Sequence, residues 1–177
     1  YVAQIHFLRH DYTTATAYIS KQIQKDILYK DELNYLLGQS YFQLAEYAKA
    51  LPFFFFFLSK SGKQSKDAVY MLAYAQYKTG AFIKAIENFK QLNLLDEKIG
   101  QNATYALADC YLQTKQKEKA RLAFQSAAAS NGDVVIKENA LYNYAKLSLE
   151  LGSANDAVTA LEDYLNLFPK GSYTDDA

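Results

Sequence analysis

Residues 35–54 read YLLGQSYFQLAEYAKALPFF. Within this stretch Ala50 stands four residues before Phe54, and a step of four returns to the same face of an α-helix. The same small-then-bulky pair recurs as Ala15–Ile19, Ala85–Phe89, Ala120–Phe124 and Ala157–Leu161. Successive alanines lie 35, 35, 35 and 37 residues apart. A fixed period of this length marks a chain assembled from repeated supersecondary units. Upstream of each alanine runs a second helical pattern, centred on Val2-Ala3, Leu37-Gly38, Leu72-Ala73, Leu107-Ala108 and Tyr144-Ala145. The small member of each pair lets two helices approach closely. Breaks within the units are expected at Ala45-Glu46, Thr79-Gly80, Lys115-Gln116 and Leu151-Gly152. Breaks between units are expected at Ser61-Gly62, Gly100, Asn131-Gly132 and Pro169-Lys170-Gly171, with a longer turn around residues 130–133. Six glycines thus fall at expected turns, where left-handed backbone angles cost them little, and Gly38 is left as a packing glycine.

Tyr35-Leu36-Leu37-Gly38-Gln39-Ser40-Tyr41, followed by Tyr47, Ala50 and Phe54, resembles the tetratricopeptide repeat, a helix-turn-helix unit of about 34 residues. Gly80-Ala81-Phe82 with Ala85 and Phe89 resembles it again. Gln76 and Ser148 stand where that motif has a first-helix Tyr, and its terminal Pro is present only as Pro169. The resemblance implies an all-α fold: an α-solenoid of tandem hairpins in a right-handed superhelix, one array over residues 1–177. Its units are expected near 1–28, 31–62, 66–97, 101–132 and 138–171. One hairpin cannot bury its own apolar face, so stacked hairpins share a continuous core. Val2, Ile5, Phe7 and Leu8 are expected to pack on a preceding repeat, and Tyr173 to Ala177 to open a sixth. The chain therefore reads as a fragment of a longer solenoid, with end faces open to homo-oligomeric contact.

The resemblance also implies that first helices line a concave side. Three lines of side chains then face a groove. They are Tyr35, Tyr70, Tyr105 and Tyr142; Gln39, Tyr74, Asp109 and Lys146; and Phe42, Tyr77, Leu112 and Leu149. Steps of four and three residues keep all three lines on one helix face. Tyr offers a broad apolar contact and a hydroxyl at low conformational cost, which suits peptide capture. The alternative is that these rings pack on neighbouring helices and fill space. Relatives of this kind that grip a terminal carboxylate use Lys and Asn at such places. Tyr35 with Gln39, and Tyr70 with Tyr74, argue against that clamp here.

Phe53 to Phe57 are consecutive and sweep the whole circumference of a helix. Phe54 and Phe57 share the face of Ala50 and are expected inside, while Phe55 and Phe56 point most nearly away. Either neighbouring helices cover the run from both sides, or Phe55 and Phe56 form an outer patch. Pro52 removes one backbone donor from the same helix.

Composition narrows the function. The chain has 177 residues, 16 Tyr, 11 Phe and no Trp, with 19 basic and 19 acidic side chains. Net neutrality argues against a nucleic-acid surface. One Cys forms no intrachain disulfide, and two His with one Cys are too few for a Cys/His zinc site. His6 and His10 share a helix spacing but supply only two ligands, and His10 falls at a turn. Cys110 reads as a small buried hydrophobe. No phosphate-binding loop, dinucleotide fingerprint or nucleophile elbow occurs. The expected function is a non-catalytic scaffold without cofactor or metal, binding a protein or peptide in a Tyr-lined groove. A self-assembly module and a regulatory arm of a multidomain protein are the alternatives. The phrase Tyr164-Leu165-Asn166-Leu167-Phe168-Pro169-Lys170-Gly171-Ser172-Tyr173 is similar to repeats of bacterial envelope proteins serving outer-membrane assembly and constriction. It tilts the expected location toward the periplasm or cell envelope.

Overall fold

The computed structural model describes residues 1–23, 30–60, 65–92 and 97–177. Among them lie ten α-helices and no strand. In order these are α1 (Val2–Leu8), α2 (Tyr12–Gln22), α3 (Lys30–Gln43), α4 (Tyr47–Lys60), α5 (Lys66–Lys78), α6 (Phe82–Phe89), α7 (Glu97–Gln113), α8 (Lys117–Ala129), α9 (Val134–Glu150) and α10 (Ala154–Leu167). Packing divides the chain into two compact units, residues 1–88 and 89–177.

The alanine ladder is the buried seam of the hairpins: Ala15, Ala50, Ala85, Ala120 and Ala157 are all buried. Their bulky partners Ile19, Phe54, Phe89 and Phe124 are buried too. In the last hairpin Leu161 is only partly buried, and Tyr164, seven residues beyond Ala157, fills the interior instead. Gly38 has a packing reason. A Cβ there would lie 3.0 Å from Phe54 Cε1 and 3.1 Å from Phe53 Cβ.

The turn inside each hairpin follows one design. His10, Ala45, Gly80, Lys115 and Gly152 all adopt positive φ, between 57° and 81°. Each stands five residues before a ladder alanine. The next N–H reaches back across the turn, as in Glu46 to the Tyr41 carbonyl (2.9 Å), Ala81 to Gln76 (2.8 Å) and Gln116 to Tyr111 (2.8 Å). These bonds satisfy carbonyls that a helix C-terminus leaves unpaired. Three of the five hairpins meet the left-handed angle without glycine.

The connections between hairpins are less uniform. Gly100, expected at a turn, lies inside α7, which begins at Glu97. A lone Gly inside a helix costs only about 1 kcal/mol, and the tertiary packing of α7 outweighs it. The expected break at Ser61-Gly62 lies outside the described residues. The longer turn at residues 130–133 is held by buried Gln101. Its Nε2 donates to the carbonyls of Ala127 (3.0 Å) and Ser130 (3.1 Å), and its Oε1 accepts the Asp133 N–H. Asp133 then caps α9 by accepting from Val135 and Ile136.

Candidate functional site

In the first unit α3 and α5 carry the groove candidates Tyr35, Gln39, Phe42, Tyr70, Tyr74 and Tyr77. All six are partly exposed. Tyr35 turns toward its own hairpin. It stacks on Phe57 at 4.3 Å and meets Phe54 edge-on at 6.3 Å. The Phe run is therefore used unevenly. Phe54 is buried, Phe57 lies under Tyr35, and Phe53 stacks on Tyr41 at 5.8 Å. Phe56 is partly buried, whereas Phe55 keeps 47% of its surface exposed.

The other aromatics gather at the turn end of the hairpins. Phe42 meets Tyr47 across its turn at 5.4 Å, and Tyr77 meets Phe82 across the next at 6.5 Å. Tyr74 joins the two hairpins, 5.7 Å from Phe42, 5.8 Å from Tyr47, 5.8 Å from Tyr77 and 5.9 Å from Tyr70. The first hairpin repeats the device, with Phe7 and Tyr12 edge-on at 5.3 Å. Lys78 lays its ammonium over Tyr74 (5.4 Å) and Tyr77 (5.1 Å), a cation–π arrangement. Burial raises the phenols of Tyr70, Tyr74 and Tyr47 above the ordinary tyrosine value, so all three stay protonated at neutral pH. Among the described residues no hydrogen bond engages the hydroxyls of Tyr47 or Tyr74. In the sequence Tyr47 and Phe82 stood only as members of the repeat-like stretches, and Tyr12 was not singled out. The missing signal was the aromatic pair five residues apart across each of these three turns.

In the second unit Tyr105 packs edge-on against Phe124 at 5.2 Å, repeating the Tyr35–Phe54 contact. Asp109 sits close enough to raise the phenol of Tyr105 further, after burial. Leu112 is partly exposed, Lys146 is exposed, and Leu149 keeps 63% of its surface. Near Lys146, Lys117 bridges to Glu150 at 2.8 Å and holds that carboxyl below the usual range. Tyr142 is covered by the chain's own C-terminal residues. Tyr173 stacks on it at 4.1 Å with the ring planes 3° apart. Buried Tyr164 donates to Glu138 (2.8 Å) and accepts the Tyr173 N–H (2.8 Å). Glu138 also accepts the Ser172 N–H, and Tyr173 donates to Asn139.

The remaining chemical candidates are accounted for locally. His6 pairs with Asp11 at 3.1 Å, and Asp11 caps α2 through the Thr14 N–H. His10 bonds the Tyr12 hydroxyl at 2.7 Å. Cys110 is buried, and burial pushes its thiol up to about 12. Among the described residues no three His, Cys, Asp or Glu side chains gather into a metal-binding group.

The ten helices among the described residues, with one repeated hairpin turn, make the chain an all-α helical-repeat protein. Residues 102–132 and 139–171 match the tetratricopeptide repeat model. The crystal structure of MamA superposes with a TM-score of 0.77 at 18% identity, covering 96% of each chain. MamA from Desulfovibrio magneticus gives 0.72 at 18% identity, over 95% of this chain and 90% of that one. YrrB, described as a TPR protein with an unusual peptide-binding site, gives 0.78 at 18% identity, over 98% of this chain and 87% of that one. At these identities the likeness is one of fold. No curated protein sequence matches the chain.

Proposed function

We propose that the chain is a non-catalytic scaffold whose peptide-binding surface is the aromatic face of residues 1–88. The observation that carries this reading is the partly exposed cluster of Phe42, Tyr47, Tyr70, Tyr74, Tyr77 and Phe82. Large aromatic rings left partly in water, with open hydroxyls among them, are the composition of protein-binding hot spots. The peptide-binding site ascribed to YrrB agrees with this use of the fold. Tyr142 contributes less, since it already has a partner in Tyr173. The test is a selection of random dodecapeptides on the native chain, followed by affinity for Tyr74→Ala. Selected peptides should bind that variant at least about tenfold more weakly, with helicity unchanged. Equal affinity would remove the assignment.

A second reading is self-association through α1, whose Val2, Ile5 and Leu8 keep 45%, 47% and 75% of their surface exposed. Sedimentation over a concentration series should then show a dimer that Leu8→Glu dissolves. We also propose a bacterial envelope location, supported by the phrase at residues 164–173. Fractionation of cells expressing the full gene product checks it, and a wholly cytoplasmic signal would reject it.

A further inference from the structure

We propose that α9 and α10 form a second peptide site, for a segment with glycine two residues before tyrosine, and that Gly171–Tyr173 of the chain occupy it in cis. A partner segment of the same pattern binds by displacing them. The site lies wholly in the second unit and does not depend on the reading above.

The pattern is read from the contacts of the segment that fills the site. The Tyr173 ring lies flat on Tyr142, with centroids 4.1 Å apart and planes 3° apart. Its hydroxyl donates to Asn139, and its N–H donates to the Tyr164 hydroxyl at 2.8 Å. The Ser172 N–H donates to Glu138 Oε1. Glycine is required one place earlier. A Cβ on residue 171 would stand 2.6 Å from Glu138 Oε1 and would also meet the Tyr164 hydroxyl. Those two atoms are bonded to each other at 2.8 Å, so neither yields freely. The middle place supplies an N–H, which proline lacks.

Two observations make the segment exchangeable. First, none of residues 171–177 is buried, and they lie beyond α10 in turns instead of a helix. A stretch with so little buried surface opens before the helices it rests on. Second, the groups it meets are held in place without it. Glu138 accepts from Tyr164, which is fully buried. The Asn139 amide donates to the Val135 carbonyl at 2.8 Å, which leaves its oxygen for Tyr173. The Tyr142 ring leans on Tyr164 at 6.1 Å. A receptor ordered in advance takes its ligand at low conformational cost.

The experiment titrates the isotope-labelled full chain with a peptide of residues 170–177 and reads NMR chemical shifts. In the chain, Tyr173→Ala empties the ring seat, and Gly171→Ala expels the segment by its own Cβ. Each variant should bind the peptide at least about tenfold more tightly than the native chain, whose open state is a minor fraction. The shifts should centre on Glu138, Asn139 and Tyr142. Peptides carrying Gly171→Ala or Tyr173→Ala should bind the opened chain at least about tenfold more weakly than the parent peptide. Adding Tyr142→Ala to the Tyr173→Ala chain should cost a similar factor. Binding to the variants no tighter than to the native chain overturns the proposal. So does affinity indifferent to the peptide's glycine and tyrosine. Loss of helicity in both variants overturns it as well, because the segment is then part of the core.

Discussion

In the first unit Phe42, Tyr47, Tyr77 and Phe82 close their turns ring against ring, whereas the matching places in the second unit hold Leu112, Lys117, Leu149 and Ala154. The turns beneath are the same. Ala45, Gly80, Lys115 and Gly152 share one left-handed conformation. The same turn closes over leucine, lysine or alanine in the second unit, so its left-handed conformation does not require the aromatics of the first. Phe42 packs on the core through Phe54 at 6.3 Å, while Tyr47, Tyr74, Tyr77 and Phe82 each keep part of their surface exposed. The tyrosines of the second unit are used differently. Tyr164, Tyr142 and Tyr173 are spent on one another and on Glu138 and Asn139. Tyrosine hydroxyls tie the C-terminal residues of the second unit to α9 and α10, whereas in the first unit those of Tyr47 and Tyr74 have no hydrogen bond among the described residues.

Substitutions can break or sharpen that contrast. The largest effect is expected for Gly38→Val, which drives a branched side chain into buried Phe54 beneath the aromatic edge. Thermal unfolding should show a loss of about 3 kcal/mol. An unchanged melt would mean that the Gly38–Phe54 contact does not constrain the first unit. Tyr164→Phe comes next. It removes the donor to Glu138 and the acceptor for the Tyr173 N–H, and should cost about 1–2 kcal/mol. Cys110 is the chain's sole cysteine and is buried in the second unit, so alkylation of the native protein reads that unit. Its rate should rise about tenfold for each 1.4 kcal/mol lost. No acceleration would show that the C-terminal clasp contributes nothing.

Smaller effects test the shared turns. Ala45→Gly in the first unit and Lys115→Gly in the second should each raise stability by about 1 kcal/mol, by relieving a left-handed angle on a side-chain-bearing residue. Clearly unequal gains in denaturant titrations would show that the two turns are not the same device. The smallest effect is expected for Tyr74→Phe, within about 0.5 kcal/mol, because its hydroxyl has no partner among the described residues. A cost matching that of Tyr164→Phe would erase the distinction between spent and spare hydroxyls.

Much of this was legible from local pattern. The alanine ladder gave the helical hairpins, because a buried seam between close helices tolerates only small side chains. Turn positions followed from the same period, even where His10, Ala45 and Lys115 hide the conformation behind residues that do not advertise it. Gly100 misled, because a glycine inside a helix and a glycine at its end look alike until packing on the rest of the helix is known. The groove candidates lay on the correct helices, yet their roles separated only in three dimensions. Tyr35 and Tyr105 pack on the second helices of their own hairpins, Tyr142 is covered by Tyr173, and Tyr74 gathers rings from two hairpins.

By itself the sequence determined the all-α repeat, its period and its buried seam. Those depend on spacing along one helix and between one hairpin and the next, which a linear pattern records. Only the tertiary structure decided which tyrosines are committed and which remain for a partner. That outcome depends on rings and hydroxyls from residues 19 to 34 apart meeting within a few ångströms, and no local spacing encodes it.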